Sequence, residues 1–192
     1  MNNLQHVDAE LTEANSVSPH IIAHVCNENG IWSGDVANAI ARKWPQARRA
    51  YLEAYRNRMR GEFGFGSVQF VNAQRPHTNQ IIRIANMIAQ PAPQRPVRYR
   101  ALRKCLIAVG NKAIKIRATV HLPKLGADQT DSWPDIELII YNTLCTASIS
   151  VFVYQPQVSN DNELFGEATK KHDRETGAFR NVRDSSFPEQ QF

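Results

Sequence analysis

The stretch that decides the fold is Ile21–Trp44, IIAHVCNENGIWSGDVANAIARKW. It begins with an apolar run, Ile21–Cys26, that is typical of a buried strand. A turn-rich loop from Asn27 to Gly34 follows, and an amphipathic run opens at Asp35. A strand that passes through a glycine-containing loop into a helix can hold a phosphate, because the helix start offers unpaired N–H groups and a favourable dipole. The same arrangement also serves as a plain connector, so the pattern alone leaves both interpretations open.

The rest of the chain alternates strand-like and helix-like segments. Strands are predicted at 4–7, 67–71, 81–88, 118–122 and 148–154, and helices from 35, from 45, over 97–115 and from 134. The apolar spacing predicts an inward face on the first and third helices, made of Val36, Ala39, Ile40, Trp44, Leu102, Leu106, Val109 and Ala113. A polar turn is predicted over 72–80. Strands that alternate with helices indicate an α/β domain with helices on both faces of the sheet.

Length and composition set the organisation of the chain. With 192 residues and 42% hydrophobic residues, one domain over 1–155 is expected, followed by a polar tail, 156–192, that is partly disordered or draped over the surface. The N-terminus lacks the features of a secretory signal, and no run approaches the roughly 18 apolar residues of a membrane span. The three cysteines are widely spaced without a CxxC pair. A cytoplasmic protein without metal or cofactor, and without a membrane partner, is therefore expected.

Positive charge is concentrated in the predicted domain. The formal net charge is +5, yet between Glu62 and Asp128 there are eleven Lys or Arg residues and no acid. Arg42 to Arg60 adds seven bases against Glu53 alone, whereas the chain from 155 onward carries seven acids and five bases. This asymmetry favours either a field that attracts an anionic ligand, including one attached to nucleic acid, or a simple solvated helix surface.

Several motifs resemble those of macro domains, the ADP-ribose-binding α/β modules. The segment HVCNENGIWSGDVANAIARKWPQARRAY resembles their first binding loop and the helices that follow it. Further matches flank this segment in the order that the family has them. HVDA (6–9) precedes it, and the matches after it are GSVQFV (66–71), IANMIAQ (84–90), PVRYRAL (96–102), HLPKLG (121–126), Trp133 and VFVYQ (151–155). The likeness covers roughly 3–155 and is greatest to the branch that contains the yeast ADP-ribose 1″-phosphate phosphatase and its bacterial relatives.

The resemblance implies a three-layer α/β/α fold with a mixed central sheet, and an ADP-ribose cleft at the carboxyl ends of the strands. Asp8, with Ala9 beside it, matches the acid that accepts from the adenine amino group. The remaining ligand-binding candidates that the resemblance implies are Asn27, Asn29, Gly30, Trp32, Ser33, Gly34 and Asp35 in the first loop, Gly126, Ala127, Gln129 and Thr130 in the second, and Tyr154 as the aromatic group against adenine. Phe152 is the alternative aromatic, although its alternation with valines favours a core role.

Catalysis is expected to fall to His24, Asp128 and Asp131. His24 matches the histidine proposed to act in the phosphatase relatives, although a lone histidine in an apolar strand is also typical of a hydrogen-bonded core residue. Asp128 and Asp131 depart from the usually uncharged second loop, and their carboxylates would repel a diphosphate unless they act as a base, bind ribose hydroxyls or hold a cation. Asp35 is a further unusual acid, with a plain N-cap as its alternative role. Gln90 replaces the lysine of the glycohydrolase branch, which excludes a lysyl intermediate.

Three functions remain open from the sequence. The first is hydrolysis of an ADP-ribose derivative, with removal of a phosphate monoester as the expected reaction. The second is a non-catalytic module that binds or sequesters ADP-ribose, cyclic ADP-ribose-type signals or an ADP-ribosylated protein or nucleic acid. The third is a basic nucleic-acid-binding domain, which the lack of a known motif of that kind disfavours.

Overall fold

The computed structural model describes residues 3–14, 19–58, 63–74, 81–125 and 132–155. Residues 1–157 form one compact unit. The predicted tail, 156–192, lies outside the described residues. The strands are β1 (Leu4–Val7), β2 (His20–Asn27), β3 (Val68–Gln74), β4 (Ile81–Gln90), β5 (Thr119–Pro123) and β6 (Val151–Tyr154). The helices are α1 (Asp35–Lys43), α2 (Pro45–Arg56), α3 (Tyr99–Ile116) and α4 (Trp133–Thr143), with short 3-10 helices at Leu11–Glu13 and Cys145–Ala147.

The strands form one six-stranded mixed sheet in the order β1-β6-β5-β2-β4-β3. The five strands β1, β6, β5, β2 and β4 run parallel to one another, and the edge strand β3 pairs antiparallel with β4. The parallel pairs follow from the intervening helices, since a crossover connection is needed to bring the next strand back in the same direction. The sheet confirms the predicted α/β class and mixed topology.

The core lies on both faces of the sheet. Side chains of β2 alternate between the faces, so Ile21 and Ala23 pack with residues of α3 and α4, whereas Ile22 packs with residues of α1 and α2. All three of these side chains are fully buried. Burial on both faces explains why the strand is an almost continuous apolar run rather than an alternating one. The arrangement is the predicted three-layer α/β/α fold.

The helix faces were predicted with one notable error. Leu102, Leu106, Val109 and Ala113 of α3 are all buried, as the spacing indicated. In α1, however, Val36 is 36% exposed and Ala37 is buried, so the buried face of this helix includes Ala37 in place of Val36. β3 continues to Gln74, so part of the predicted turn is strand that pairs with β4.

Candidate functional site

The carboxyl ends of five strands lie together at one edge of the sheet. Because β1, β2, β4, β5 and β6 are parallel, the loops that follow them leave from the same side. The Lys124 N–H donates to the Tyr154 carbonyl at 2.8 Å, and the Gln155 N–H donates to the Val7 carbonyl at 3.0 Å, which ties the ends of β5, β6 and β1 together. In open α/β sheets this edge is where ligands bind. The structure thus gathers the predicted ligand residues after β1, β2 and β6.

The loop after β2 is built around the side chain of Asn27. Its Oδ1 accepts the backbone N–H of Asn29 at 3.0 Å and of Ile31 at 3.2 Å, and its Nδ2 donates to the Ile31 carbonyl at 2.5 Å. The Tyr51 hydroxyl donates to the Asn27 carbonyl at 2.8 Å and lies 3.1 Å from Oδ1. Asn27 is 4% exposed, so these contacts give its amide a loop-shaping role. Asn29 is the exposed amide of this loop.

The loop packs against an aromatic cluster that comes from α2 and the segment after it. The ring centroids of Trp32 and Tyr51 are 5.5 Å apart, and Phe63 lies 5.7 Å from Tyr51 and 5.6 Å from Tyr55. Gly30 has φ +71°, and a Cβ at that position would collide with the Tyr55 ring. Only glycine combines this backbone conformation with so close an aromatic neighbour. The loop is therefore fixed both by hydrogen bonds and by packing.

The loop ends at the exposed start of α1. Ser33, Gly34 and Asp35 are all exposed, and the Trp32 indole N–H donates to the Ala37 carbonyl at 3.1 Å. Gly34 is the N-cap, with φ 93° and ψ 153°, and Asp35 is the first helical residue without a capping bond. The interpretation of Asp35 as an N-cap is therefore wrong, because the preceding glycine adopts the non-helical conformation. The first N–H groups of α1 lack acceptors within the helix, as helix geometry requires, and they create a local preference for an anion.

His24 lies in the layer between the sheet and α2. Because an amide oxygen only accepts, His24 Nε2 donates to Asn86 Oδ1 at 2.8 Å, and Asn86 Nδ2 donates to the Ala47 carbonyl at 3.0 Å. The Trp32 ring packs edge-on against the imidazole at 5.3 Å. This chain of contacts connects β2, β4 and α2 beneath the first loop.

The environment of His24 keeps its imidazole neutral. Burial lowers the pKa of His24 to about 4, and the hydrogen bond to Asn86 opposes this shift only in part. The side chain is 1% exposed, and its Nε2 proton is committed to Asn86. These observations favour support of Trp32 over direct proton transfer, and the catalytic role of His24 stays a prediction.

Asp8 and Tyr154 lie at the same end of the neighbouring strands β1 and β6. Asp8 is exposed, and Ala9 is half-buried against the cluster that contains Tyr154. The Tyr154 hydroxyl is 2.9 Å from His121 Nδ1, and the Phe152 ring stacks on His121 at 4.9 Å and 14°. Tyr154 is the aromatic nearer the carboxyl edge of the sheet. Phe152 is half-buried and lies two residues earlier in β6. Their contact with a ligand stays a prediction.

The second predicted loop lies outside the described residues, and so do its candidates Gly126, Ala127, Asp128, Gln129, Thr130 and Asp131. The two ends of the loop are described. Lys124 Nζ is 5.7 Å from the centroid of the Trp133 ring, and the Ser132 N–H donates to the Tyr99 hydroxyl at 3.2 Å. The loop therefore begins and ends at the carboxyl edge, between β5 and the start of α4.

Gln90 joins the first loop to β4. Its carbonyl accepts the Glu28 N–H at 2.8 Å, and its side-chain Nε2 donates to the Arg95 carbonyl at 2.6 Å. The side chain that replaces lysine thus stabilises the connection to α3.

Sequence reasoning missed the roles of Tyr51, Tyr55 and Asn86. The tyrosines were assigned to the apolar face of the second helix, and only the fold shows that their polar or aromatic atoms reach a loop more than 20 residues away. Asn86 carried a visible signal, because it is one of only two polar residues in the apolar run from Ile81 to Ala89 and buried polar groups need a partner.

Two further properties concern the described part of the chain only. Its His, Cys, Asp and Glu side chains do not form any group of three that could hold a metal ion. None of the helices in these ranges has the length and apolar character needed to span a membrane.

Comparisons with known proteins agree with this geometry. The family model for the Macro domain matches residues 23–132, which is more than half of the chain. The structure of a macrodomain protein from Streptomyces coelicolor superposes with a TM-score of 0.71 at 35% identity, over 80% of this chain and 99% of that one. The chain belongs to the macro domain family, as its motifs predicted.

Two other proteins extend the comparison. Thermosipho africanus DarTG in complex with ADP-ribose has a TM-score of 0.66 at 14% identity, over 83% of this chain and 44% of that one, a likeness of fold alone. An ADP-ribose 1″-phosphate phosphatase from Lodderomyces elongisporus is 48% identical over 33 residues, which are 17% of this chain and 21% of that protein. The chain thus matches about a fifth of the length of this relative. The short match falls in the branch that the sequence resembles.

Proposed function

We propose that this macro domain binds ADP-ribose or a derivative at the carboxyl edge of its sheet and hydrolyses a phosphate monoester such as ADP-ribose 1″-phosphate. The observation that carries the proposal is the first loop, which Asn27 and Tyr51 hold in a fixed shape and which opens at the exposed start of α1. The bound ADP-ribose of the DarTG structure supports the choice of ligand. The short match to the Lodderomyces elongisporus phosphatase supports the choice of reaction.

The proposed ligand has charged and uncharged parts that fit different residues. The diphosphate would lie against Gly34 and the start of α1, where the helix dipole favours an anion. The exposed Asn29 amide suits a ribose hydroxyl, and the carboxylate of Asp8 suits the adenine amino group. Tyr154 would pack against the adenine ring. An ADP-ribose group on a protein or nucleic acid would present the same atoms.

The proposed reaction is attack of water on the phosphorus of the monoester. A P–O bond forms to the attacking water, the ester P–O bond breaks, and inorganic phosphate and ADP-ribose leave. Asp128 or Asp131 would accept the proton of the water and pass a proton to the ester oxygen, which leaves as the hydroxyl of ADP-ribose. The N–H groups at the start of α1 would stabilise the charge that develops on the phosphoryl oxygens. His24 would act by holding Trp32 under the loop.

The test uses purified protein and ADP-ribose 1″-phosphate. We expect release of inorganic phosphate, together with calorimetric binding of ADP-ribose, and loss of release in Asp128→Ala or Asp131→Ala with binding retained. Asp135→Ala is the matched control, because Asp135 is an exposed acid of α4 outside the proposed machinery. Release that survives the combined Asp128→Ala and Asp131→Ala substitutions would overturn the assigned roles.

The alternative is a module that binds without catalysis. It is favoured by the burial and low pKa of His24 and by Gln90, whose side chain is bound within the β4–α3 connection. Binding of ADP-ribose without any phosphate release would select this alternative. If neither compound binds, the proposed ligand is wrong and only the family assignment stands.

A further inference from the structure

Helix α3 and its two flanking residues form a cationic surface without any acid. Arg98 through Arg117 contains seven basic side chains and no Asp or Glu: Arg98, Arg100, Arg103, Lys104, Lys112, Lys115 and Arg117. All of them are exposed except Lys112, which is half-buried. The sequence could not show whether these residues share a face. The structure shows that three of them do.

Arg98, Lys104 and Lys112 lean onto the same neighbour, the segment that leads into and forms the edge strand β3. The Arg98 guanidinium lies 4.2 Å from the Phe65 ring centroid, and Lys112 Nζ lies 5.8 Å from that of Phe70. Between them, the Lys104 stem packs so closely on Gly66 that a Cβ there would lie 2.8 Å from its Cδ. We call this row of three cations the α3–β3 seam.

The three cations of the seam are spread along the length of the helix. Six and eight residues separate its cations along the helix, which correspond to roughly 9 and 12 Å at about 1.5 Å per residue. The ion pairs among the described residues, His6–Glu137 and Lys43–Glu13, involve none of the three. The row therefore presents charge that no described carboxylate neutralises.

We infer that the α3–β3 seam binds the phosphate backbone of a nucleic acid. Arg98 lies at the end of the seam nearest the candidate site, because its N–H donates to the Ala89 carbonyl at the carboxyl end of β4. A polynucleotide on the seam can thus extend from the edge where ADP-ribose is proposed to bind. The inference rests on the proposed function only for this continuity, since backbone binding needs no ADP-ribose.

One observation favours a nucleic acid over a lipid surface as the partner. Another favours the α3–β3 seam over the basic face formed by α1 and α2. A membrane-surface helix needs a continuous apolar face, but α3 exposes only Ile107 and Ile114 as large hydrophobic residues and buries the rest of its apolar side in the core. The α1–α2 face is also basic, yet it carries Asp35 and Glu53 among its cations. Acids within a patch oppose a polyanion.

The test measures binding of unmodified oligonucleotides, as single strands and duplexes of about 20 nucleotides, across a range of salt concentrations. The seam variant combines Arg98→Gln, Lys104→Gln and Lys112→Gln. The control variant removes the same charge from exposed positions of α2 by Arg48→Gln, Arg49→Gln and Arg56→Gln. A third variant, Lys104→Arg with Lys112→Arg, keeps the charge. Calorimetric binding of ADP-ribose is measured in parallel for every variant.

We expect the full chain to bind with a salt-dependent dissociation constant in the range of about 10⁻⁴ to 10⁻⁶ M. The seam variant should bind about tenfold or more weakly at low salt. The slope of log K against log salt concentration should become less negative by about 3, since each lost phosphate contact contributes about 0.9 to that slope. The α2 control and the arginine variant should keep most of the binding, and ADP-ribose affinity should not change.

Three results would overturn the inference. Equal losses in the seam and α2 variants would mean that net charge alone attracts the oligonucleotide. Failure of the full chain to bind at low salt would exclude the surface as a nucleic-acid site. Binding to anionic lipid vesicles that depends on the seam, without oligonucleotide binding, would assign the surface to a membrane. Because ADP-ribose is absent from the oligonucleotide binding assay, a failure there leaves the proposed function to its own test.

Discussion

The hydroxyl of Tyr51 should control the shape of the first binding loop from a distance. It donates to the Asn27 carbonyl at 2.8 Å and lies 3.1 Å from Asn27 Oδ1, and Tyr51 is fully buried. Burial raises the pKa of the Tyr51 phenol, so the hydroxyl remains a neutral donor over the whole working pH range. Tyr51→Phe removes this donor and keeps the ring that packs against Trp32.

The expected cost follows from the contacts that remain. A buried acceptor that loses its partner costs roughly 1–3 kcal/mol. The Asn27 side chain retains the N–H groups of Asn29 and Ile31, so we expect a loss at the lower end of that range, about 1–1.5 kcal/mol, in the free energy of unfolding. If part of this energy orders the loop for the ligand, ADP-ribose affinity should fall about three- to tenfold, by up to about 1.4 kcal/mol.

Urea unfolding and calorimetric binding of ADP-ribose measure the two effects separately. Tyr141→Phe is the matched control, because Tyr141 is 48% exposed on α4 and should change neither quantity. Unchanged stability in Tyr51→Phe would contradict the hydrogen-bond argument. Lower stability with unchanged ADP-ribose affinity would show that the hydroxyl supports the fold but does not order the ligand loop.

The remaining predictions concern pH, the loop glycine and the acid at the start of α1. Burial lowers the pKa of His24 to about 4 and that of His121 to about 3. Below a pH of about 6.5 the unfolded chain therefore binds more protons than the folded one, and the free energy of unfolding should fall as the pH is lowered. In urea unfolding, His24→Gln should reduce the slope of the free energy of unfolding against pH by about 1.4 kcal/mol per pH unit. A slope that His24→Gln leaves unchanged would contradict the buried neutral state. Gly30→Ala should destabilise the fold by more than about 1 kcal/mol, because it adds a collision with Tyr55 to backbone strain, whereas Gly64→Ala, in open space, should have little effect in the same assay; equal effects would refute the collision. Asp35→Asn should tighten ADP-ribose binding by about two- to fivefold in calorimetry, since it removes a negative charge beside the proposed diphosphate, and weaker binding would indicate that this carboxylate contacts the ligand.

The candidate site divides into what local patterns could reveal and what they could not. Gly34 and the exposed start of α1 followed from the strand–loop–helix pattern, which is a local property of the chain. The role of Asn27 did not, because its partner Tyr51 is 24 residues away. The same limit applied to His24, whose hydrogen bond reaches Asn86, 62 residues further along the chain.

The helix registers show the same division on a smaller scale. The inward face of α3 was predicted correctly, because an 18-residue helix repeats its apolar spacing over five turns. The nine-residue α1 offers less than three turns, and its spacing pointed to Val36 where the structure buries Ala37. Short elements carry too few repeats to fix their own orientation.

The sequence by itself determined the family, the α/β class and the order of strands and helices, since these depend on motifs and on periodicities that neighbouring residues share. Only the tertiary structure decided which helices cover which face of the sheet and that the Asn27 side chain is hydrogen-bonded within its own loop and to Tyr51. It also decided that Arg98, Lys104 and Lys112 lie in one row along the segment that leads into and forms β3. These properties depend on contacts between residues far apart in the chain, whose distances are set by how the layers pack and not by any local preference.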